Sequence, residues 1–323
     1  AGGGAAGGGA AGGGASCDGG FRVVSVANVT GGTIFEAVGY GNADAVWLGG
    51  HSNASELRVL TDAGFVERAG PPCGGRVFSG WARSDGVFYV AGDGFGLKGL
   101  VPGTADCNAL APSAFTAYGM DGLSLNPSTT LLALVGREFQ GPQPKGARAQ
   151  LIESTFLAGN PKEVTADVSS LADELWDVAV QPGASKRFFA VGMLSGQEQL
   201  LSSLPDAGWQ KASGFNSRPG VLSAVAFRSA TEGYAAGSAT LYRFDGTNWN
   251  AQVGALPFEV FGLAVVGPSD VYAVGAGEGI ARWNGSWQVL RAPSGSAYLN
   301  RIRGPSACEL FTSGSGGTYT SRP

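Results

Sequence analysis

An all-β ring of seven four-stranded blades, a seven-bladed β-propeller, follows from three features of the chain. First, a short apolar strand ending in glycine recurs seven times: VWLGG (46–50), FYVAG (88–92), LALVG (132–136), FFAVG (188–192), GYAAG (233–237), VYAVG (271–275) and LFTSG (310–314). Second, the closing glycines, Gly50, Gly92, Gly136, Gly192, Gly237, Gly275 and Gly314, are spaced by 42, 44, 56, 45, 38 and 39 residues. A period of about 40–45 residues in a chain of short strands is that of propeller blades. Third, 55 of the 323 residues are glycine. Outside the first 14 residues they fall singly or in pairs between apolar runs, as turns require.

Each unit divides into four strands, a to d. An apolar run precedes each glycine-ended strand b and is read as strand a: FEAVGY (35–40), VFSGWA (77–82), YGMDGLSL (118–125), LWDVAVQ (175–181), VLSAVAF (221–227), VFGLAVV (260–266) and YLNRIRG (298–304). Strand c follows b, as in ELRVL (56–60), ATLYRF (239–244) and GIARW (279–283). Then comes a tight turn: Asp62 to Phe65, Asp206 to Trp209, Asp245 to Trp249 and Asn284 to Trp287. Asp or Asn with a nearby Gly suits a hairpin turn that needs positive φ. The aromatic that ends the turn opens strand d and is expected to pack on a neighbouring blade.

The seventh unit has strand a (298–304), strand b (310–314) and strand c around TYTS (318–321), but no strand d after them. The missing turn and strand lie at the other end, as Asp18-Gly19-Gly20-Phe21 followed by RVVSVANV. The N-terminal strand is therefore expected to close the last blade, which removes a free sheet edge. Cys17 would sit in the c–d turn of that blade and Cys308 in its a–b turn, on one face, so a Cys17–Cys308 disulfide is expected. Its loop of about 290 residues would stabilise the ring by about 5 kcal/mol in the loop-closure model. Cys73 lies between blades one and two, and Cys107 at the c–d turn of blade two. In a regular blade those positions tend towards opposite faces. Either the blade is irregular and they bond, or they stay apart; a bond is the expectation.

Composition narrows the function classes. Charged residues are 14 % and hydrophobic ones 44 %, so a large core can be buried. Net charge is −4 with no block of like charges, which argues against nucleic acid, whose phosphates need a clustered basic face. No apolar run reaches the length of a transmembrane helix. The four cysteines make no CxxC motif. Their even number and wide spacing suggest two disulfides and an oxidising location, extracellular or cell-surface with the periplasm as alternative; four buried thiols in a reducing compartment are the contrary reading. No signal-peptide pattern is present, so a secreted chain is expected here in mature form. Residues 1–15 repeat AGGGA three times. With no side chain larger than methyl, such a stretch buries too little apolar surface to offset its ordering entropy. Residues 1–16 are read as a Gly/Ala-rich tether or assembly element, and residues 17–323 as the propeller.

The units resemble those of secreted bacterial seven-bladed β-propellers with repeats of the form DVYAVG…RWNGSW. The residues that carry the likeness are Asp270 to Gly275 with Ala281 to Trp287, and Glu232 to Gly237 with Asp245 to Trp249. The turns are also similar to degenerate Asp-box turns of sialidase-type propellers. The resemblance spans about residues 17–323. It implies the fold and transfers no activity, because propellers host enzymes, lectins and scaffolds alike.

The sialidase-like resemblance implies an arginine triad, an acid and a Tyr–Glu pair. The arginines Arg22, Arg58, Arg76, Arg83, Arg301 and Arg303 show no ordered set across successive blades. Arg301 and Arg303 alternate on strand a of the last blade, with Ile302 on its opposite side. They are candidates for an anion site in the central channel, or for a wet channel lining. His51 is the lone histidine, which cannot build a His-based metal centre, and no GxSxG elbow supports a triad through it. Spacing alone does not tell the carboxylate pairs Asp173–Glu174 and Asp62–Glu67 from surface charges. GDGFG (92–96) leads into a strand rather than a helix, so it lacks the context of a phosphate loop. The segment REFQGPQPKGARAQ (137–150) reads as an inserted b–c loop of blade three, with Arg137, Lys145 and Arg148 as binding candidates. No catalytic residue, cofactor or metal is assigned.

The expected function is a non-enzymatic binding or structural module with a protein partner or self-assembly through its tail. A glycan-binding lectin or glycan-active enzyme, and a periplasmic assembly factor, are the alternatives.

Overall fold

The computed structural model describes residues 20–24, 26, 33–42, 45–52, 55–61, 64–67, 73–93, 96–101, 104, 107–111, 115–140, 142–155, 162–183, 186–204 and 208–322. Their strands form seven four-stranded sheets. Blade one is Ile34–Tyr40, Val46–His51, Ser55–Thr61 and Gly64–Glu67. Blade two is Arg76–Ala82, Phe88–Asp93, Leu97–Leu100 and Cys107–Ala111. Blade three is Thr116–Ser124, Thr129–Gln140, Gln143–Thr155 and Lys162–Asp167. Blade four is Glu174–Val180, Phe188–Leu194, Gln197–Leu204 and Gly208–Lys211. Blade five is Leu222–Ser229, Glu232–Gly237, Leu241–Phe244 and Trp249–Ala251. Blade six is Val260–Gly267, Asp270–Gly275, Ile280–Trp283 and Trp287–Arg291. Each inner strand a packs beside the next, and that of blade seven, Leu299–Arg303, returns to that of blade one.

Blade seven closes the ring as the sequence requires. Its sheet runs Leu299–Arg303, Phe311–Gly314, Gly317–Thr320 and then Arg22–Val23. Arg22 pairs with Thr320 and Val23 with Tyr319, and Val24 N–H donates to the Thr318 carbonyl at 2.9 Å. Phe21 lays its ring 6.2 Å from that of Tyr272 in blade six. Cys308 is disulfide-bonded; Cys17, its expected partner, lies outside the described residues, as does the 1–15 repeat.

The core is distributed as layers between blades. Trp47 of blade one stacks on Phe88 of blade two at 5.4 Å. The aromatics that open strand d pack backwards onto the preceding blade: Phe65 is buried against Phe311 of blade seven, and Trp249 of blade five sits 5.6 Å from Phe189 of blade four. Each such side chain removed from water contributes about 1.5–3 kcal/mol.

Two expectations are corrected or resolved. The basic segment of blade three is not a loop. Strands b and c run on as a two-stranded ribbon, pairing Arg137 with Ala147 and Gln140 with Gln143 around a bulge at Glu138/Phe139. Pro144 is tolerated there because it stands at that irregularity, where a ladder donor can be missing. Cys73 and Cys107 do form a disulfide, with Cα atoms 5.5 Å apart. The opposite-face objection fails because Cys73 is not in a rim turn. It is 1 % exposed inside the layer between blades one and two, with its carbonyl held by Lys98 of blade two.

Candidate functional site

Every inner strand breaks register at its outset. The shifts fall between Phe35 and Ala37, Val77 and Ser79, Ala117 and Gly119, Leu175 and Asp177, Leu222 and Ala224, Val260 and Gly262, and Leu299 and Arg301. The residues skipped are Glu36, Phe78, Tyr118, Trp176, Ser223, Phe261 and Asn300. A bulge sets two residues against one and re-aims a side chain. All seven skipped residues line one cavity of about 470 Å³ at the mouth of the central channel, with Val221, Glu259, Tyr298 and Arg301. One bulge per blade thus builds a ring, and its volume lies within the roughly 300–1,000 Å³ typical of ligand pockets.

The bulges explain the repeated glycine. A Cβ on Gly275 would strike the Glu259 carbonyl oxygen, and one on Gly314 that of Tyr298; the other five closing glycines meet the equivalent carbonyl of their own blade. These glycines are needed for space, because strand a presses its bulged backbone onto strand b.

The ring is largely aromatic. The Tyr118 and Trp176 rings stack at 5.3 Å and 25°. Phe78 lies 5.9 Å from Tyr118, and His51 meets Phe78 edge-on at 5.2 Å. Phe261 and Tyr298 make a T-shaped pair at 6.2 Å. The Trp176 Nε1 is buried and donates to no acceptor among the described residues.

Arg301 forms the floor. Its Nη2 donates to the Tyr118 carbonyl at 2.7 Å and that of Trp176 at 3.3 Å. Its Nη1 donates to the Phe261 and Asn300 carbonyls, each at 3.3 Å. All four carbonyls belong to bulge residues, so one guanidinium ties blades three, four, six and seven together. Buried Asp177 lies 3.8 Å away. Burial lowers the Arg301 pKa, and Asp177 opposes that. Burial likewise raises the Glu36 carboxyl, while a 3.2 Å hydrogen bond from the Tyr298 hydroxyl and the charge of Arg301 pull it back. Tyr298 is pushed up to about 12 by burial and by Glu36.

Arg303 lies farther down the channel, in a second cavity of about 260 Å³ with Asp121, Trp81 and Phe227. Burial raises Asp121 to about 6, against the pull of Arg303 and of the Val180 N–H. Ile302 between the two arginines is buried in the core, as alternation requires.

The ribbon bases are engaged with their own chain. Arg137 pairs with Glu174 at 3.3 Å, Lys145 with Glu138 at 2.8 Å, and Arg148 with Glu138 at 2.5 Å and with Asp167. Asp173 accepts from the Ser195 N–H at 2.6 Å. His51 is absent from the cavity lining, and burial lowers its pKa. Asp62 lies outside the described residues. Among those described, no three His, Cys, Asp or Glu side chains group as metal ligands, and no helix is long and apolar enough to cross a membrane. Among the described residues Arg301 is the one arginine in the mouth lining, and these residues do not assemble the arginine triad that the sialidase likeness implies.

The mouth ring was missed from sequence, although a signal existed. Counting back from the closing glycine, the ring residue stands at 14 positions in blades one, two, five, six and seven, at 16 in blade four and at 18 in blade three.

Comparison with known proteins places the architecture and no more. The chain matches no protein-family model and no curated protein. Among solved structures it is similar to the WD40 β-propeller domain of Doa1, with TM-score 0.66 and 13 % identity over 93 % of this chain and 96 % of that one. It is similar also to YCF48, solved bound to D1 peptide, with TM-score 0.66 and 12 % identity over 93 % and 95 %. At these identities the likeness shows a seven-bladed propeller fold alone.

Proposed function

We propose that this protein is a non-enzymatic binding module that holds a segment of a protein partner in the mouth of its channel. The observation that carries the reading is the ring of seven bulge residues, which turns one side chain per blade into a single aromatic cavity. Such a cavity strips water from an inserted side chain, and aromatic rings supply contact area at little entropic cost. The propeller similar to it that was solved with a peptide gives the reading a precedent within the fold. The Gly/Ala-rich residues 1–15 serve as tether or assembly element on an extracellular or cell-surface protein.

Selection from a random peptide library by the full chain, repeated with Trp176→Ala and Phe261→Ser, tests the site. Peptides retained by the parent and lost by both variants are expected. Retention of the same peptides by both variants would move the site elsewhere, and enrichment on a glycan array alone would make the protein a lectin. Light scattering of the chain with and without residues 1–15 tests the tail. Assembly by the full chain alone marks an assembly element, and monomers in both cases mark a tether.

A further inference from the structure

We propose that the group anchored in the mouth is a cation, the side chain of a lysine or arginine of the partner protein. The inference rests on the reading of the mouth as a peptide site and adds the chemistry of its occupant.

The sign of the cavity carries it. Glu36, Glu259 and Arg301 are the ionisable groups that line it with opposite charges. Arg301 is already matched: its terminal nitrogens donate to four carbonyls, and buried Asp177 stands beside it. Glu36 and Glu259 form no ion pair among the described residues. Farther out, Arg137 is paired with Glu174, and Arg76 faces Asp93 across the ladder, so neither base reverses the sign. The uncompensated charge of the mouth is therefore negative.

The walls reinforce that sign. An aromatic ring is electronegative over its face, so it attracts a cation within about 6 Å of its centroid and repels an anion. Tyr118, Trp176 and Phe78 form one aromatic arc, and Phe261 with Tyr298 another. The apolar stem of a lysine or arginine suits the same walls, while its charged head meets the carboxylates. Burial raises the Glu36 carboxyl, and the Tyr298 hydroxyl and the charge of Arg301 offset that only in part, so a cation entering the mouth would favour its ionised form.

The test uses three blocked pentapeptides, Gly-Gly-Xaa-Gly-Gly with Xaa lysine, norleucine or glutamate, titrated against the full chain with the tryptophan signal as readout. The lysine peptide is expected to bind about tenfold more tightly than the norleucine peptide, and the glutamate peptide not to bind; such a ratio is within the range of a desolvated cation–π contact. Glu259→Gln, at an exposed position, should weaken the lysine peptide about two- to fivefold and leave the norleucine peptide unchanged. Added salt should mimic that loss. If norleucine or glutamate binds as well as lysine and Trp176→Ala removes that binding, the cation is wrong and the peptide site stands. If none of the three binds, both readings fall together.

Discussion

Arg137, Lys145 and Arg148 on the blade-three ribbon each pair with a carboxylate of their own chain, whereas Glu36 and Glu259 at the channel mouth form no ion pair among the described residues. The ribbon has the visible charge and projects from the ring. The mouth is built from inner strands whose sequence reads as core. The difference is one of electrostatic closure. A charge paired within its own fold has little left to give a ligand, while a carboxylate beside aromatic faces in a partly dry cavity retains its demand for a partner. Exposure and charge alone favour the ribbon, and electrostatic closure favours the mouth.

The sharpest way to break this comparison is at Arg301. Arg301→Met should cost about 3–5 kcal/mol, because it strands buried Asp177 and four carbonyls. Urea unfolding reads the loss directly. An unchanged midpoint would mean that the mouth is a wet lining and not a built site.

Asp121, at the other end of the channel, tests whether burial governs there too. Its carboxyl stands near 6 in the folded chain and 3.8 otherwise. Below about pH 4 it is protonated in both states and contributes nothing. As pH rises the unfolded chain ionises first, so stability falls until about pH 6 and then levels. Relative to Asp121→Asn, the parent should lose about 2–3 kcal/mol across that window. Parallel pH profiles for the two proteins would show that Asp121 is well solvated.

A smaller effect is expected at a closing glycine. Gly275→Ala drives a Cβ into the Glu259 carbonyl and should cost about 1–3 kcal/mol. It should also displace Phe261 and weaken ligand at the mouth, which ligand titration checks. The ribbon should respond least. Arg148→Met is expected to cost about 1 kcal/mol and Lys145→Ala under about 0.5 kcal/mol, with peptide binding at the mouth unaltered. Loss of binding in either variant would restore the ribbon as a functional surface.

The blades, their closing glycines and the strand that completes blade seven were legible because each leaves a local signature: a period, a small residue, a turn of Asp and Gly before an aromatic. The ring at the mouth was not. A bulge is a relation between two strands, and Glu36 or Trp176 carries no mark of being skipped until its partner strand is placed. Arg301 was legible as a channel residue from its alternation with Arg303. Its role was not, since it depends on carbonyls of Tyr118 and Trp176 in other blades. Conversely, prolines and bases made 137–150 look like a loop, because pairing with an irregular partner hides the strand.

The closing strand has a consequence for the order in which the molecule can be made. Arg22–Val23 leaves the ribosome before the other strands of the ring, yet the strand it pairs with, Gly317–Thr320, emerges about 300 residues later. Six blades can complete themselves as they appear, while the seventh waits for both halves to meet. Until then the nascent chain is an open arc with two raw ends, and that interval is when wrong partners compete. A ring latched by its earliest segment is thus finished in a single late step, and a chain cut short before blade seven has nothing to latch onto.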